Sequence, residues 1–161
     1  MPPQLRRSSP EDLLACMAIA RALPEHFNAR GLEEMGRDLG RDRGWVALEG
    51  TGDFVGFVVV REAEDGSEEI LWLAVSPAAQ RRGVGRALVE EVARDARARG
   101  VRTVRVRTLA DTVPSPAYAG TRAFYLRLGF RLEEVVDPYP GWEPGNPCAV
   151  YERPSRRPRG G

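Results

Sequence analysis

The chain has 161 residues, of which 42% are hydrophobic and 29% charged, and its formal net charge at pH 7 is +1. This length suits one compact domain with a full core, and the composition is that of a soluble globular protein. The near-zero charge gives no bulk attraction to nucleic acid or membrane, and no apolar run is long enough to span a bilayer.

Hydrophobic periodicity and turn residues predict an alternation of strands and helices. Strands are predicted at residues 4–8, 45–49, 54–61, 68–75, 103–108, 130–136 and 148–152. Helices are predicted at residues 10–23, 32–39, 84–99 and 121–128, of which the first begins after the N-cap residue Ser9. We expect one domain over residues 1–153.

The last eight residues, 154–161, are arginine, proline, serine and glycine, and we expect a disordered basic tail. An alternative interpretation of this tail is that arginines at the end of the chain contact nucleic acid. That interpretation is disfavoured because the tail is short and the body is near neutral. The arginines concerned are Arg153, Arg156, Arg157 and Arg159.

Residues 71–88 combine an apolar strand, a turn with two glycines and the start of an amphipathic helix. Pro77 stops the strand. The first amides of a helix have no internal partners, and the helix dipole favours negative charge there. Gly83 and Gly85 leave room for a ligand near the backbone. With the nearby cations Arg81, Arg82 and Arg86, these features predict a phosphate or pyrophosphate cradle, the alternative being a plain strand-to-helix turn.

The loop lacks both the P-loop lysine and the third glycine of a dinucleotide fingerprint. Its pattern Gln80-x-x-Gly83-x-Gly85 instead resembles the acetyl-CoA loop of the GCN5-related N-acetyltransferases, the GNAT superfamily. The stretch Phe124-Tyr125-x-x-x-Gly129-Phe130 resembles the second signature of the same superfamily. The order of elements is also similar from about residue 4 to 153. The resemblance implies a single-domain α+β fold whose mixed, mostly antiparallel sheet is flanked by helices and has splayed central strands.

The resemblance also implies acetyl-CoA as co-substrate and no metal. The backbone of Leu73, Ala74 and Val75 is expected to bind the pantetheine arm like an added strand, where the strands carrying Val75 and Val106 part. The loop expected to hold the pyrophosphate consists of Gln80, Arg81, Arg82, Gly83, Val84, Gly85 and Arg86.

Amine acetylation needs a base for the attacking amine and an acid for the departing thiolate. Tyr125 is the candidate acid, because a phenol is protonated at neutral pH and because it matches the acid position of the family; a core aromatic is the alternative. Glu69 resembles the position of the general-base glutamate in some members. The alternative there is that Glu68 and Glu69 are solvated acids at a turn. A backbone amide near Val75 is the candidate for stabilising the oxyanion.

Acceptor choice is expected to depend on loops 24–35, 109–118 and 137–147. The candidate substrate-binding residues are His26, Phe27 and Trp142. The alternative for His26 is an exposed loop histidine without a role in binding. Loop 137–147 is either an ordered lid over the cleft or a plain connector. Many family members carry asparagine and alanine where this chain has Tyr118 and Thr121, which leaves open a cofactor contact that the asparagine commonly makes.

Cys16 and Cys148 lie in neither signature, which favours direct transfer in a ternary complex over a covalent thiol route. Two reduced thiols are expected in a cytoplasmic protein. The predicted function is acetyl transfer from acetyl-CoA to a small-molecule or peptide amine. A non-catalytic acyl-CoA sensor or scaffold is the alternative. Homodimers are frequent in the superfamily.

Overall fold

The structure is a computed structural model that describes residues 2–156. Seven strands form one sheet in the order β1-β2-β3-β4-β5-β7-β6, in which only the pair β4 and β5 is parallel. The strands are β1 (Gln4–Arg7), β2 (Arg43–Glu49), β3 (Asp53–Glu62), β4 (Glu68–Val75), β5 (Thr103–Leu109), β6 (Arg131–Val136) and β7 (Cys148–Pro154). The helices are α1 (Leu13–Arg21), α2 (Ala29–Arg41), α3 (Val84–Ala98) and α4 (Pro116–Arg127). The predicted α+β fold with a mixed, mostly antiparallel sheet is confirmed.

The helices cover both faces of the sheet, and alternation along β3 shows how. Phe57 and Val59 pack with α1 and α2 in one buried cluster. Val58 and Val60 pack with α3 and with the end of α4 in the other. Because successive side chains of a strand point to opposite faces, a strand covered on both sides is continuously apolar. Residues 55–60 of β3 are accordingly all buried.

Two helices begin earlier than predicted. Helix α4 begins at Pro116, inside the stretch predicted to be a loop, and Ser115 accepts a hydrogen bond from the Tyr118 amide as its N-cap. A proline in the first helical turn does not destabilise the helix, because the amide hydrogen that it lacks would have no partner within the helix. Helix α2 begins at Ala29 after the N-cap Asn28, whose side chain accepts from the Gly31 amide.

The last strand is longer than the predicted range 148–152, because β7 continues to Pro154. Arg153 is buried, and its Nη1 lies 3.1 Å from Glu90 Oε1 and 3.1 Å from the Leu128 carbonyl oxygen. This arginine is therefore part of the fold, and its interpretation as a nucleic-acid contact is wrong. The rest of the predicted tail beyond Arg156 lies outside the described residues.

The sheet splits between its two parallel strands. Strand β4 pairs with β5 only from Glu68 to Ile70. Beyond that point β4 remains paired with β3, and β5 remains paired with β7 as far as Leu109. The register with β3 shifts at Leu71, which leaves this residue as an extra one in β4, and such bulges bend the strand that contains them. The splayed central strands expected from the family resemblance are thus present.

The closed end of the split is fixed by a buried ionic cluster. Glu68 is 1% exposed, and Arg43 Nη2 lies 2.6 Å from its Oε2, while Arg99, the residue after the end of α3, contacts the same oxygen. A carboxylate is stable at this depth only because these arginines compensate its lost hydration. Its interpretation as a solvated acid at a turn is wrong.

Among residues 2–156, no helix has the length and apolar character needed to cross a membrane.

Candidate active site

A cleft of about 1240 Å³ opens where β4 and β5 separate. The loop before α3, the first turn of α3 and one side of α4 form its other walls, together with residues around 23–31 and 139–146. Apart from Arg82, every residue predicted to belong to the site lines this cleft. The fold therefore brings together two signatures that are about forty residues apart in the chain.

The turn into α3 presents unpaired backbone amides. The first amide of this helix to find an acceptor is that of Ala87, which donates to the Gly83 carbonyl over 3.0 Å. From Arg81 to Arg86, no backbone amide donates to an acceptor within the described part of the chain. Arg81 and Gly83 have φ values of 67° and 82°, which form the turn. Six consecutive amides at a helix start are a site for an anion.

The arginines of the turn are not equivalent. Arg82 Nη2 lies 3.0 Å from Glu49 Oε2 and faces away from the cleft. Arg81 and Arg86 line the cleft and are exposed, and neither has a carboxylate partner within residues 2–156. Their charges are therefore available to an anion held by the amides.

Gln80 fastens the turn to the end of β4. Its side-chain Nε2 donates to the Val75 carbonyl over 3.2 Å. This contact fixes the turn relative to the strand, so the role of Gln80 in this structure is to orient the turn.

Gly85 brings the two signatures into contact. A Cβ atom at this position would lie 3.0 Å from Phe124 Cζ, which is closer than ordinary packing allows. Gly83 differs, because apart from its chain neighbours no atom of residues 2–156 lies within 4 Å of a Cβ built at that position, and glycine is favoured there by the positive φ. Sequence reasoning had assigned both glycines to ligand approach, but Gly85 also allows α3 and α4 to pack closely.

Tyr125 lies at the bottom of the cleft on the α4 side. It is 4% exposed, and its ring packs against Phe124 and Phe130 with centroid distances of 5.0 and 5.1 Å. No hydrogen bond from its hydroxyl to another described residue is present. Burial raises the pKa of Tyr125 above the ordinary value for a phenol, so the hydroxyl keeps its proton at neutral pH.

Glu69 lies on the opposite face of the sheet. Its side chain is 12% exposed, and Arg107 Nη1 lies 2.5 Å from its Oε1. This ion pair is close but poorly aligned, and Oε1 has no hydrogen-bond partner of good geometry. Burial raises the pKa of Glu69, and the positive charges of Arg107, Arg105 and Arg61 oppose that shift in part. The interpretation of this residue as a solvated acid is wrong.

Tyr118 joins α4 to the segment before α2. Its hydroxyl donates to the His26 carbonyl over 3.3 Å, and the two rings are 5.9 Å apart. His26 is half-buried, so the interpretation as an exposed loop histidine is wrong. Phe27 packs beside it and against Trp72 at a centroid distance of 6.1 Å. The tyrosine that replaces the usual asparagine thus shapes the wall of the cleft.

The segment 137–147 is fixed on both sides of the cleft mouth. Arg30 of α2 donates to the Gly141 carbonyl over 3.3 Å and lies 3.4 Å from Glu143. At its other end, the Pro147 carbonyl accepts from Ala110 over 3.0 Å. Within the segment, the Tyr139 and Trp142 rings pack 5.3 Å apart. These contacts order the segment over the side of the cleft that the predicted acceptor loops surround.

The cysteines lie away from the reaction cleft. Both are free and fully buried, and neither lines the cleft. Burial raises the pKa of Cys16 to about 12 and that of Cys148 to about 11, so both are neutral thiols at physiological pH. No group of three or more metal-binding side chains occurs in residues 2–156.

Sequence reasoning missed Arg107 and Thr108 as residues of the cleft. Alternation along β5 puts Arg105 and Arg107 on one face of the strand, but nothing in the local sequence indicates which strand lies beside them. The parallel register, in which Glu69 is opposite Arg105, joins segments that are far apart in the chain. Only that register brings Arg107 to Glu69.

Parted parallel strands beside a helix start with free amides are the features that the family resemblance predicts for an acyl-CoA-dependent N-acyltransferase. A family model described as the acetyltransferase (GNAT) domain matches residues 40–132, which is more than half of the chain. The chain belongs to this family, and it is an N-acetyltransferase.

Solved structures show the same fold. A protein of Desulfovibrio desulfuricans assigned to the GNAT family is 25% identical, with a TM-score of 0.83, and the match covers 96% of this chain and 99% of that one. The ribosomal-protein-S18-alanine N-acetyltransferase of Escherichia coli is 22% identical, with a TM-score of 0.73 and coverages of 97% and 96%. An aminoglycoside 6'-N-acetyltransferase solved with coenzyme A is 18% identical, with a TM-score of 0.72 and coverages of 96% and 99%. No curated protein matches at a significant level.

Proposed function

We propose that the protein transfers the acetyl group of acetyl-CoA to a primary amine by direct attack in a ternary complex. The observation that carries this proposal is the position of Tyr125 and Glu69, which reach one cleft from the two faces of the split sheet. A thioester placed between the parted strands would have a carboxylate on one side and a phenol on the other. That arrangement suits a reaction that removes one proton and supplies another.

The amides from Arg81 to Arg86 hold the pyrophosphate of the co-substrate. They fit it because they are consecutive and lie next to the cations Arg81 and Arg86, and because neither the amides nor these cations have a partner within residues 2–156. Within the described part of the chain, the edge of β4 from Leu71 to Val75 has no partner strand on the β5 side, so it offers backbone groups to the pantetheine arm. Acetyl-CoA supplies the activated acyl group, and these residues place it.

Tyr125 is the acid that protonates the departing thiolate. Because its hydroxyl has no partner among the described residues, its proton is available to a group that enters the cleft. Burial disfavours the charged form of both groups, the CoA thiolate and the Tyr125 phenolate. The proton is therefore transferred between groups of similar basicity.

Glu69 is the base that accepts a proton from the attacking amine. Its raised pKa makes it a stronger base than an exposed glutamate. Because Oε1 is covered and lies beside Arg107, the proton reaches it through a water molecule or after a small displacement of the arginine.

The buried thiols support direct transfer. A covalent route would need an accessible thiolate, whereas Cys16 and Cys148 are protonated and lie outside the cleft. The acceptor is a small-molecule or peptide amine that enters between His26, Phe27 and Trp142. By their names, the two more distant relatives act on a protein alanine and on an aminoglycoside, so acceptors differ within this fold.

A panel of amines with acetyl-CoA tests the proposal. We expect release of free CoA, measured with a thiol reagent, that depends on the amine and exceeds the rate without amine. The panel should include a polyamine, an aminoglycoside, single amino acids and short peptides with free N-termini. If the protein bound acetyl-CoA but released no free CoA with any of these amines, the result would favour the alternative of a non-catalytic sensor. The observation that supports this alternative is the ion pair between Glu69 and Arg107, because it occupies the carboxylate of the proposed base.

A further inference from the structure

Three buried side-chain polar atoms within residues 2–156 lack a hydrogen-bond partner, namely Glu69 Oε1, Arg107 Nε and Thr108 Oγ1. All three residues line the cleft, and all lie where β4 and β5 part. Buried polar groups are nearly always paired in folded proteins, and an unpaired one carries a free-energy penalty. Their clustering at the split indicates that a ligand supplies the missing partners.

Thr108 differs from the other two because it faces the other side of the sheet. Along β5, Val104, Val106 and Thr108 are the buried positions on the α3 side, whereas Arg107 faces Glu69. Tyr125 packs in the same buried cluster as Val104 and Val106. Thr108 is 4% exposed, and on its outer edge it pairs with Ala149 of β7. Its hydroxyl therefore lies on the side of the cleft where the proposed acid is.

The register fixes how far Thr108 lies from the closed end of the split. The last paired residues of the two strands are Ile70 and Val106. Thr108 is two residues further along β5, which is roughly 7 Å at the usual rise of a strand. This is the inner part of the gap, through which a chain running along β4 from Val75 must pass to reach Glu69.

We propose that Thr108 Oγ1 hydrogen-bonds an amide of the pantetheine arm and thereby positions the thioester beside Tyr125. This inference rests on the proposed function. The pantetheine arm contains two amides, and a hydroxyl can donate to or accept from an amide. Valine has nearly the same shape and would leave no unpaired atom, so packing alone does not account for a threonine here. Because Oγ1 is screened in the free protein, binding involves rotation about χ1 or slight widening of the gap.

Titration calorimetry with two variants and two ligands tests this role. Thr108→Val removes the hydroxyl and keeps the shape, and Thr108→Ser keeps the hydroxyl as the matched control. CoA contains the pantetheine arm, and adenosine 3',5'-bisphosphate does not. We expect Thr108→Val to weaken CoA binding by about 2- to 12-fold, the range for the net value of one hydrogen bond. Thr108→Ser should remain within about twofold of wild type, and binding of the bisphosphate should be equal in all three proteins.

Thermal unfolding of the free proteins separates this role from a structural one. Because the hydroxyl has no hydrogen-bond partner among residues 2–156, Thr108→Val should unfold at the wild-type temperature or higher. Equal CoA affinity in wild type and Thr108→Val would contradict the inference, and so would a parallel loss of bisphosphate binding. Failure of Thr108→Val to fold would also contradict it, because the hydroxyl would then serve the fold. Failure of the wild type to bind CoA would instead contradict the proposed function.

Discussion

Replacing Tyr125 by phenylalanine should lower kcat by about 100-fold or more and leave the affinity for acetyl-CoA almost unchanged. The phenol supplies a proton only when the thiolate departs, so its loss should affect kcat and kcat/KM equally. Phenylalanine keeps the contacts with Phe124 and Phe130, and the hydroxyl that is removed has no partner among the described residues. The free energy of unfolding should therefore change little.

Tyr151→Phe is the matched control for this experiment. Tyr151 is a buried tyrosine in the same core cluster, but it does not line the cleft. Steady-state kinetics of both variants and calorimetric CoA binding give the comparison. Tyr125 would be excluded from the mechanism if Tyr125→Phe were as active as wild type, and a large loss of CoA affinity would indicate a binding role instead.

Replacing Glu69 by glutamine should lower kcat/KM by about 100-fold and remove the acid limb of its pH profile. A base must be deprotonated to act, so the wild-type rate should fall as the pH decreases through the pKa of Glu69. Burial raises that pKa, which places the limb above the ordinary range for a glutamate. Glutamine preserves the shape but cannot accept the proton at any pH.

Glu152→Gln is the control, because Glu152 is a partly buried carboxylate that pairs with Arg105 outside the cleft. It should retain the wild-type pH profile, even if the loss of its ion pair lowers the unfolding temperature. A Glu69→Gln variant that keeps both the rate and the acid limb would show that another group, or solvent alone, takes the proton.

The elements around the acetyl-CoA loop could be predicted because their signals are local. Residues 71–88 contain all of these signals, namely an apolar run ended by Pro77, two glycines and a helical pattern. The observed range of β4, Glu68–Val75, matches the predicted one. The start of α4 is earlier than predicted, because Pro116 is compatible with a loop and also with the first residue of a helix that Ser115 caps.

The polar environment of the cleft could not be predicted, because it depends on strand register. Glu68 and Glu69 are adjacent in sequence, but one joins a buried cluster with Arg43 and Arg99, and the other faces Arg107. In the sequence, Thr108 is an ordinary strand residue. Only the split between β4 and β5 shows that its hydroxyl has no hydrogen-bond partner among the described residues. Such features arise from contacts between distant segments, which composition and periodicity do not encode.

Binding of CoA compared with pantetheine tests most directly whether the amides from Arg81 to Arg86 hold the diphosphate. Pantetheine keeps the arm and the thiol but lacks the phosphates. We expect wild-type protein to bind CoA with a calorimetric affinity at least tenfold higher, because an anion that meets consecutive free amides and cations gains several charge-assisted hydrogen bonds, and a tenfold change requires only about 1.4 kcal/mol. No detectable CoA binding, or equal binding of the two ligands, would contradict this account.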